Sequence, residues 1–501
     1  MLDPSQTINI IKRAQRDPVW WVREFLGEEP WGKQREILES LVDNPVTAVR
    51  SCHGIGKSWV ASRAVLWFLF SYPGSIVFTT APTKRQVESI IWQEVGAAYA
   101  KAKWPLGGDL LKTRLDVGEK WFAFGFTTRV PDGFQGLHAP YILGIVDEAS
   151  GLAAAIWDAI DGNLSAGHTR LLSIGNPTDP AGKFAAQFKT PGVKKIFVSA
   201  FDTPNFTMPG IALDDIRSGA WEKKLATWAR VQKLDPGKKA QFLAAPHLVD
   251  PFWVADKYRK WGEASPTFVS RVLGNFPDAG DDIVVPLHLV EAAQYKWENY
   301  ERPKSPTVNR ISVDVARFGS NETVVGHRLE HMFKVIKAQT GLSIPAGAGE
   351  AVRAQVTCGA KSIIVDGDGL GGGTIDILRE QNRPVIEFRG GGKPANDDEK
   401  DDKGNPLRTY LNARAEAYWT LREAYMRGEV VIDPKDEDLA AQVSSIRYKF
   451  TSTGLIQIES KDEMQKRGLP SPDRADTQAM AWAPLNKQVS DFIKAMQNAR
   501  A

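Results

Sequence analysis

Between residues 51 and 58 the chain reads SCHGIGKS, after the β-rich run VTAVR and before an apolar helical stretch. Ser51, Cys52, His53, Gly54, Ile55 and Gly56 would form a loop ending at a helix N-terminus, where free N–H groups and the dipole favour phosphate. Lys57 would reach the β- and γ-phosphates, and the Ser58 hydroxyl would ligate Mg²⁺. The pattern departs from G-x-x-x-x-G-K-[ST] at its first position, Ser51, and Gly54 can supply the backbone freedom lost there. An ordinary strand-to-helix turn is the competing reading of the octapeptide alone. About ninety residues on, the apolar run YILGIV ends in Asp147–Glu148. Carboxylates delivered at the end of a buried parallel strand suit Asp147 to the same Mg²⁺ and Glu148 to activating a water. LLSIGNP ends another strand in Asn176, placed to sense the γ-phosphate, and PWGKQREIL offers Trp31 to stack on an adenine and Gln34 to pair with its edge.

The rear of the chain carries different chemistry. Asp314 lies inside ISVDVA, Asp366 and Asp368 follow SIIV, and Asp473 and Asp476 stand three apart in PDRADTQAMAWA, on one face if that segment is helical. Acids embedded in apolar strands are costly unless a cation compensates them. No basic residue is patterned beside each, which points to a divalent metal. Such oxygen sites suit Mg²⁺ or Mn²⁺, and two ions can clamp both oxygens of phosphodiester hydrolysis. Singly, Asp366 could be a turn former and Asp473 a helix N-cap. Glu322, near the turn after the first strand, is a weaker candidate, and an exposed turn residue is the favoured reading of it.

The elements that position these groups follow from hydrophobic patterning. From Val46 to Asn176, apolar strands alternate with helices (59–70 and 84–99), which argues an α/β fold with a parallel sheet covered on both faces. A Pro/Gly/Trp-punctuated stretch (204–286) carries helical pieces at 220–233 and 252–261. A second strand-rich block opens at RISVDVARFG and closes with helices over 412–426 and 473–482. KPANDDEKDDKGN reads as a surface loop, and the domain boundary is expected near 277–286.

With 501 residues, 43% apolar and 25% charged, the chain has the material of two to four globular domains and is no disordered or disulfide-stapled protein. Its longest apolar run, Ala64–Phe70, is too short to span a bilayer, so no membrane role is expected. Cys52 and Cys358 cannot form a framework, which suits a reduced, cytosolic setting. The net charge of +3 divides into +5 over residues 1–280 and −2 over the rest. Any grip on nucleic acid must therefore come from local patches. One candidate is 189–271, with Lys194, Lys195, Lys223, Lys224, Lys238 and Lys239 interspersed with Trp221, Trp228, Trp253 and Trp261; a solvated linker with core tryptophans is the equal alternative.

The motif order WGKQ, SCHGIGKS, GFQGLHAPYILGIVDEAS, SIGNP, VDVARFGSNET, VDGDGLGGG, YLNARAEAYW and DRADTQAMAWA resembles the large terminase subunit of tailed bacteriophages, over roughly residues 20–485. The resemblance implies a P-loop NTPase followed by an RNase H-like nuclease: an ATPase core over 1–203, a lid or linker over 204–285, a nuclease over 286–487 and a tail over 488–501. It implies ATP-driven translocation of double-stranded DNA into a procapsid through the portal, and metal-dependent endonucleolytic cutting of concatemers. It places the nuclease triad on Asp314, Asp366 and Asp476, with Asp473 at a nearby Asp-or-His position. The implied cofactors are ATP with Mg²⁺ and two divalent ions (Mg²⁺ or Mn²⁺). The implied partners are the portal protein, the small terminase subunit and further copies in a homo-oligomeric ring, in the host bacterial cytoplasm, transiently docked on the procapsid.

Two positions depart from that family. Gln135–Gly136 stands where many relatives have Arg-Gly, so a trans-acting arginine must come from elsewhere, with Arg129 the candidate and a surface arginine the plainer reading. Asn321 replaces an acid common in relatives. A helicase-like repair ATPase with an attached nuclease, and a non-enzymatic portal-docking subunit, are the alternative functions.

Overall fold

A computed structural model describes residues 4–127, 137–164, 167–233, 243–278, 280, 282–316, 321–368, 371–395 and 409–485. Arg129, Gln135–Gly136, Lys238, Lys239, most of the KPANDDEKDDKGN segment and the 488–501 tail lie outside them. The chain divides into two compact units, Met1–Arg259 with Phe268–Asp278, and Lys260–Thr267 with Ala279–Ala501.

The first unit is built on a sheet with strands β1 (Val46–Ser51), β2 (Ile76–Thr80), β3 (Asp109–Leu111), β4 (Arg114–Gly118), β5 (Trp121–Phe126), β6 (Tyr141–Val146), β7 (His168–Gly175) and β8 (Lys194–Val198). Their order is β3-β4-β5-β2-β6-β7-β1-β8. The strands from β5 to β8 across this order are parallel, and β3 and β4 add an antiparallel edge. Burial on both faces explains why β2 and β6 read as continuous apolar runs. The helix after β1, Lys57–Ser71, buries Val60 to Leu69 without a polar face, as a helix enclosed by its neighbours must. β1 sits between β7 and β8, with β6 beyond β7, so the chain switches direction across the sheet beside β1. Such a switch point opens a crevice at the strands' carboxyl ends. This is the P-loop NTPase arrangement.

The second unit has strands β9 (Asn309–Asp314), β10 (Glu322–Leu329), β11 (Met332–Thr340), β12 (Ser362–Asp366), β13 (Val385–Phe388) and β14 (Val431–Ile432), in the order β13-β12-β9-β10-β11-β14. β9, β10 and β11 form an antiparallel meander, and β12 and β13 continue parallel to β9. Alternation assigns the faces. Ile311, Val313, Ile363 and Val365 pack with the helices Ile344–Cys358 and Gly371–Glu380. Phe333, Ile364 and Ile386 pack with Ala413–Met426 and Asp473–Trp482 on the other side. This antiparallel meander extended by parallel strands, with helices on both faces, is an RNase H-like arrangement, and a short hairpin, β15 (Tyr448–Phe450) and β16 (Ile456–Ile458), forms a sheet of its own.

Candidate functional sites

At the carboxyl edge of the first sheet, Arg50 pairs with Gly175 and Val146 with Ser173, so Ser51, Asn176 and Asp147 emerge side by side. The loop from 52 to 56 needs left-handed backbone at Gly54 (φ +68°) and Gly56 (φ +81°). A side chain on Gly56 would also strike the Gln34 amide at 2.6 Å. The loop is braced throughout. Cys52 N donates to Val198 O, His53 N to Arg271 O, and Val249 N to Gly54 O, each at 2.8 Å. The His53 ring stacks on Trp253, centroids 6.4 Å apart. Burial, with Arg271, Lys57 and Lys257 nearby, holds that imidazole neutral. Burial also pushes the Cys52 thiol up to about 12, so it is inert.

Lys57 opens the helix and Ser58 lies half-buried in its first turn. Lys57 Nζ donates to Asn176 Oδ1 at 3.1 Å and lies 3.6 Å from Glu148 Oε1. Asn176 Nδ2 in turn donates to Ser51 O at 2.7 Å, while Ser51 Oγ is buried without a partner among the described residues. Ser150 Oγ donates to Asn176 O. Asp147 is buried, and that burial together with Glu148 pushes its carboxyl up to about 7 despite Lys57. Glu148 stands in left-handed backbone (φ 47°, ψ 48°), a strained position for glutamate that aims its side chain across the loop. Trp31 and Gln34, expected as adenine contacts, lie against the loop. Trp31 Nε1 and Gln34 Nε2 both donate to Ile55 O, at 3.3 and 3.2 Å, and Gln34 Oε1 accepts from Trp31 N. Through these bonds both side chains brace the loop.

In the second unit, Val313 pairs with Val365 across parallel β9 and β12, so Asp314 and Asp366 leave the sheet together. The close approach of the next helix is set by Gly371, where a Cβ would overlap Asp366 O. Asp473 and Asp476 occupy the first turn of the 473–482 helix. Lys461 completes the cluster: its Nζ lies 3.9 Å from Asp314 Oδ2, 3.5 Å from Asp473 Oδ1 and 3.3 Å from Asp476 Oδ2. Burial opposes the lysine's charge, but Asp476, Asp314 and Asp473 outweigh it and raise its pKa. This corrects the expectation that no basic residue accompanies the acids. A resident ammonium compensates them, and among the described residues they do not already form a metal cage.

The acids are unequal. Burial raises Asp314 well above the carboxylate range, and its Oδ2 is buried without a hydrogen-bond partner among the described residues. Burial, with Asp368 and Asp476 adding to it, pushes Asp366 up to about 6. Asp476 is buried too, yet Arg414, Lys461 and Tyr418 overcome that and hold it low. Asp366, Asp368, Asp476, Arg414, Tyr418 and Lys461 line one cavity of about 450 Å³. Glu322 is half-buried rather than an exposed turn: its carboxylate holds Arg474 at 2.9 and 3.1 Å, and its N–H donates to Asp473 Oδ2 at 2.8 Å.

Lys461, Arg414 and Tyr418 escaped the reading of spacing. Ser460 and Glu463 form a capping box that marks Lys461 as the first residue of a helix. Arg414 and Tyr418 stand four apart behind the N-cap Asn412, and so share a face. Of the four tryptophans between 189 and 271, Trp221 and Trp261 are core, the latter within the second unit, where it donates to Asp438.

No protein-family model matches the chain. It is 25% identical over 486 residues to a probable terminase large subunit of Enterobacteria phage P7, covering 91% of this chain and 88% of that protein. Among solved structures, the nuclease domain of the large terminase subunit gp2 of bacterial virus Sf6 is 21% identical, covering 40% of this chain and 99% of that one, TM-score 0.36. The large terminase of bacteriophage HK97 is 12% identical, covering 94% and 99%, TM-score 0.36. The motif order, the two sites and the likeness to the P7 protein along nearly the whole length point the same way: this chain is similar to a phage large terminase subunit.

Proposed function

We propose that the first unit hydrolyses ATP to drive double-stranded viral DNA through a portal into a procapsid, and that the second cuts concatemeric DNA. The observation that carries this reading is the convergence of Lys57, Asn176, Glu148 and Asp147 on one braced loop in a chain that also holds a buried acid cluster. Ser58 and Asp147 would hold the Mg²⁺ that accompanies ATP and neutralises phosphate charge. Lys57, now turned to Asn176 and Glu148, exchanges them for β- and γ-phosphate oxygens. Glu148, released from the lysine, orients a water and takes its proton. Asn176 contacts both Lys57 and Ser51 O, so loss of the γ-phosphate lets it reset the loop, a local change that can bias a DNA-gripping surface. DNA is held through phosphates, so transport is nearly independent of base sequence.

The acid cluster fits a divalent cation: Asp314 Oδ2 is buried with no hydrogen-bond donor among the described residues. Asp314, Asp366 and Asp476, with Asp473 adjacent, would hold Mg²⁺ or Mn²⁺, which when bound supplies an activated water and stabilises the leaving oxygen. Without metal, Lys461 neutralises the acids, and its half-exposed stem lets it withdraw. A ring of copies on the portal, a small subunit that selects DNA, an arginine such as Arg129 acting in trans, and the host cytoplasm as the place of assembly belong to the same reading. DNA-dependent ATPase activity measured with and without procapsids, beside plasmid cutting in Mn²⁺ and Mg²⁺, tests it. Turnover stimulated by procapsids together with metal-dependent cutting is expected. Strand displacement would favour a repair helicase, and absence of any turnover with procapsids and DNA would leave a docking subunit.

A further inference from the structure

Asp476 Oδ1 accepts from Arg414 Nε at 3.2 Å, Arg414 Nη2 at 3.1 Å and Tyr418 Oη at 2.8 Å. Three donors exhaust the lone pairs of one carboxylate oxygen. Oδ2 instead faces Lys461. The two donors are themselves fixed. Arg414 Nη1 donates to Glu459 O at 2.7 Å, its guanidinium lies 5.1 Å from the Tyr418 ring centroid, and Tyr418 is buried in the core shared by the 413–426 and 473–482 helices. Among the described residues Asp366 and Asp314 lack such support: Asp366 Oδ1 accepts a backbone N–H from Asp368, and Asp314 Oδ2 has no hydrogen-bond donor.

We infer that Arg414 and Tyr418 are positioning residues of the nuclease site, fixing Asp476 so that it offers Oδ2 alone to a divalent ion. This rests on the nuclease reading above. A carboxylate locked in advance loses no rotational freedom when it takes up an ion, and partners of this kind commonly carry about 10–100-fold in metal affinity.

The test uses the full chain. Tyr418→Phe removes one donor and no charge, and Arg414→Lys keeps the charge but loses the two-pronged contact. For Tyr418→Phe, the Mn²⁺ dissociation constant, read from the EPR signal of free Mn²⁺, and the Mn²⁺ giving half-maximal plasmid cutting are both expected to rise about tenfold. Maximal cutting should return at saturating Mn²⁺, with an unchanged melting temperature. Arg414→Lys should shift both further. Wild-type metal dependence in both variants overturns the inference. So does an equal fractional loss at every Mn²⁺ concentration with a lowered melting temperature, the mark of a packing role. If the unaltered chain neither binds Mn²⁺ nor cuts, the nuclease reading itself fails and this inference falls with it.

Discussion

The two sites solve opposite electrostatic problems. At the phosphate loop the protein offers one lysine and a row of backbone N–H groups to a ligand that brings its own negative charge, and Lys57 waits on Asn176 and Glu148. In the second unit the protein supplies the negative charge, four aspartates around the end of one sheet, and Lys461 waits among them. On the proposed function, a lysine in each holds the place of the charge to come, or of the groups that would meet it. An anion site can be assembled from contiguous backbone, because a turn and a helix start suffice. A cation site needs side chains from several elements, and their mutual repulsion must be absorbed until the ion arrives.

The comparison breaks most visibly if the sites are not independent. Asp366→Asn should take cutting below detection while ATP turnover is unaltered, and plasmid and ATPase assays on one preparation show whether that holds. Glu148→Gln is expected to slow ATP hydrolysis by about 10²–10⁴, with nucleotide binding and Mn²⁺-dependent cutting retained; turnover near the unaltered rate would strip Glu148 of its role.

Stability against pH sharpens the contrast. Asp147, pushed up to about 7, is neutral in the fold when the unfolded chain has already ionised. Its contribution is thus fully present below the unfolded value near 4 and lost as pH rises towards about 7. Nucleotide-free Asp147→Asn should melt a few degrees above the unaltered chain at pH 8 and level with it at pH 4, read by calorimetry. Asp366 has the same sign through about 6, whereas Asp476, held low, contributes above the unfolded value and loses that in acid. Smallest of all, Lys461→Ala should lower the metal-free melting temperature of the second unit by about 2–4 °C, the shift of about 1 kcal/mol for a partly screened charge. Added Mn²⁺ should restore it; a metal-free variant as stable as the unaltered chain would show that the lysine neutralises nothing.

What is legible in the sequence follows from the same difference. The β1 strand, the loop, the helix after it and the β6 strand ending in Asp147 can be read because each is a local pattern of apolar runs and glycines. The aspartates at the ends of β9 and β12 are readable as acids out of place in apolar strands. The strands β3 to β5 and β8 escape such a reading. In β3 and β4 the edge position leaves polar residues such as Asp109 and Asp116, and β8 begins with two lysines. β11 is hidden because Lys334 and Lys337 interrupt its alternation on the open face. Lys461, Arg414 and Tyr418 come from segments that meet the aspartates only in three dimensions. Trp31 and Gln34 are legible as neighbours of the loop, but their bonds to Ile55 O are not, since a buried amide facing a carbonyl has no mark of its own in sequence.

The bracing of the phosphate loop has a practical corollary for dissecting this protein. Gly54, His53 and Cys52 lean on Val249, Trp253, Arg271 and Val198. A fragment ended after β8 would keep every residue of the nucleotide-binding signature, yet leave three of those four supports behind. A piece that retains all four must run at least to Arg271, and the first unit closes at Asp278.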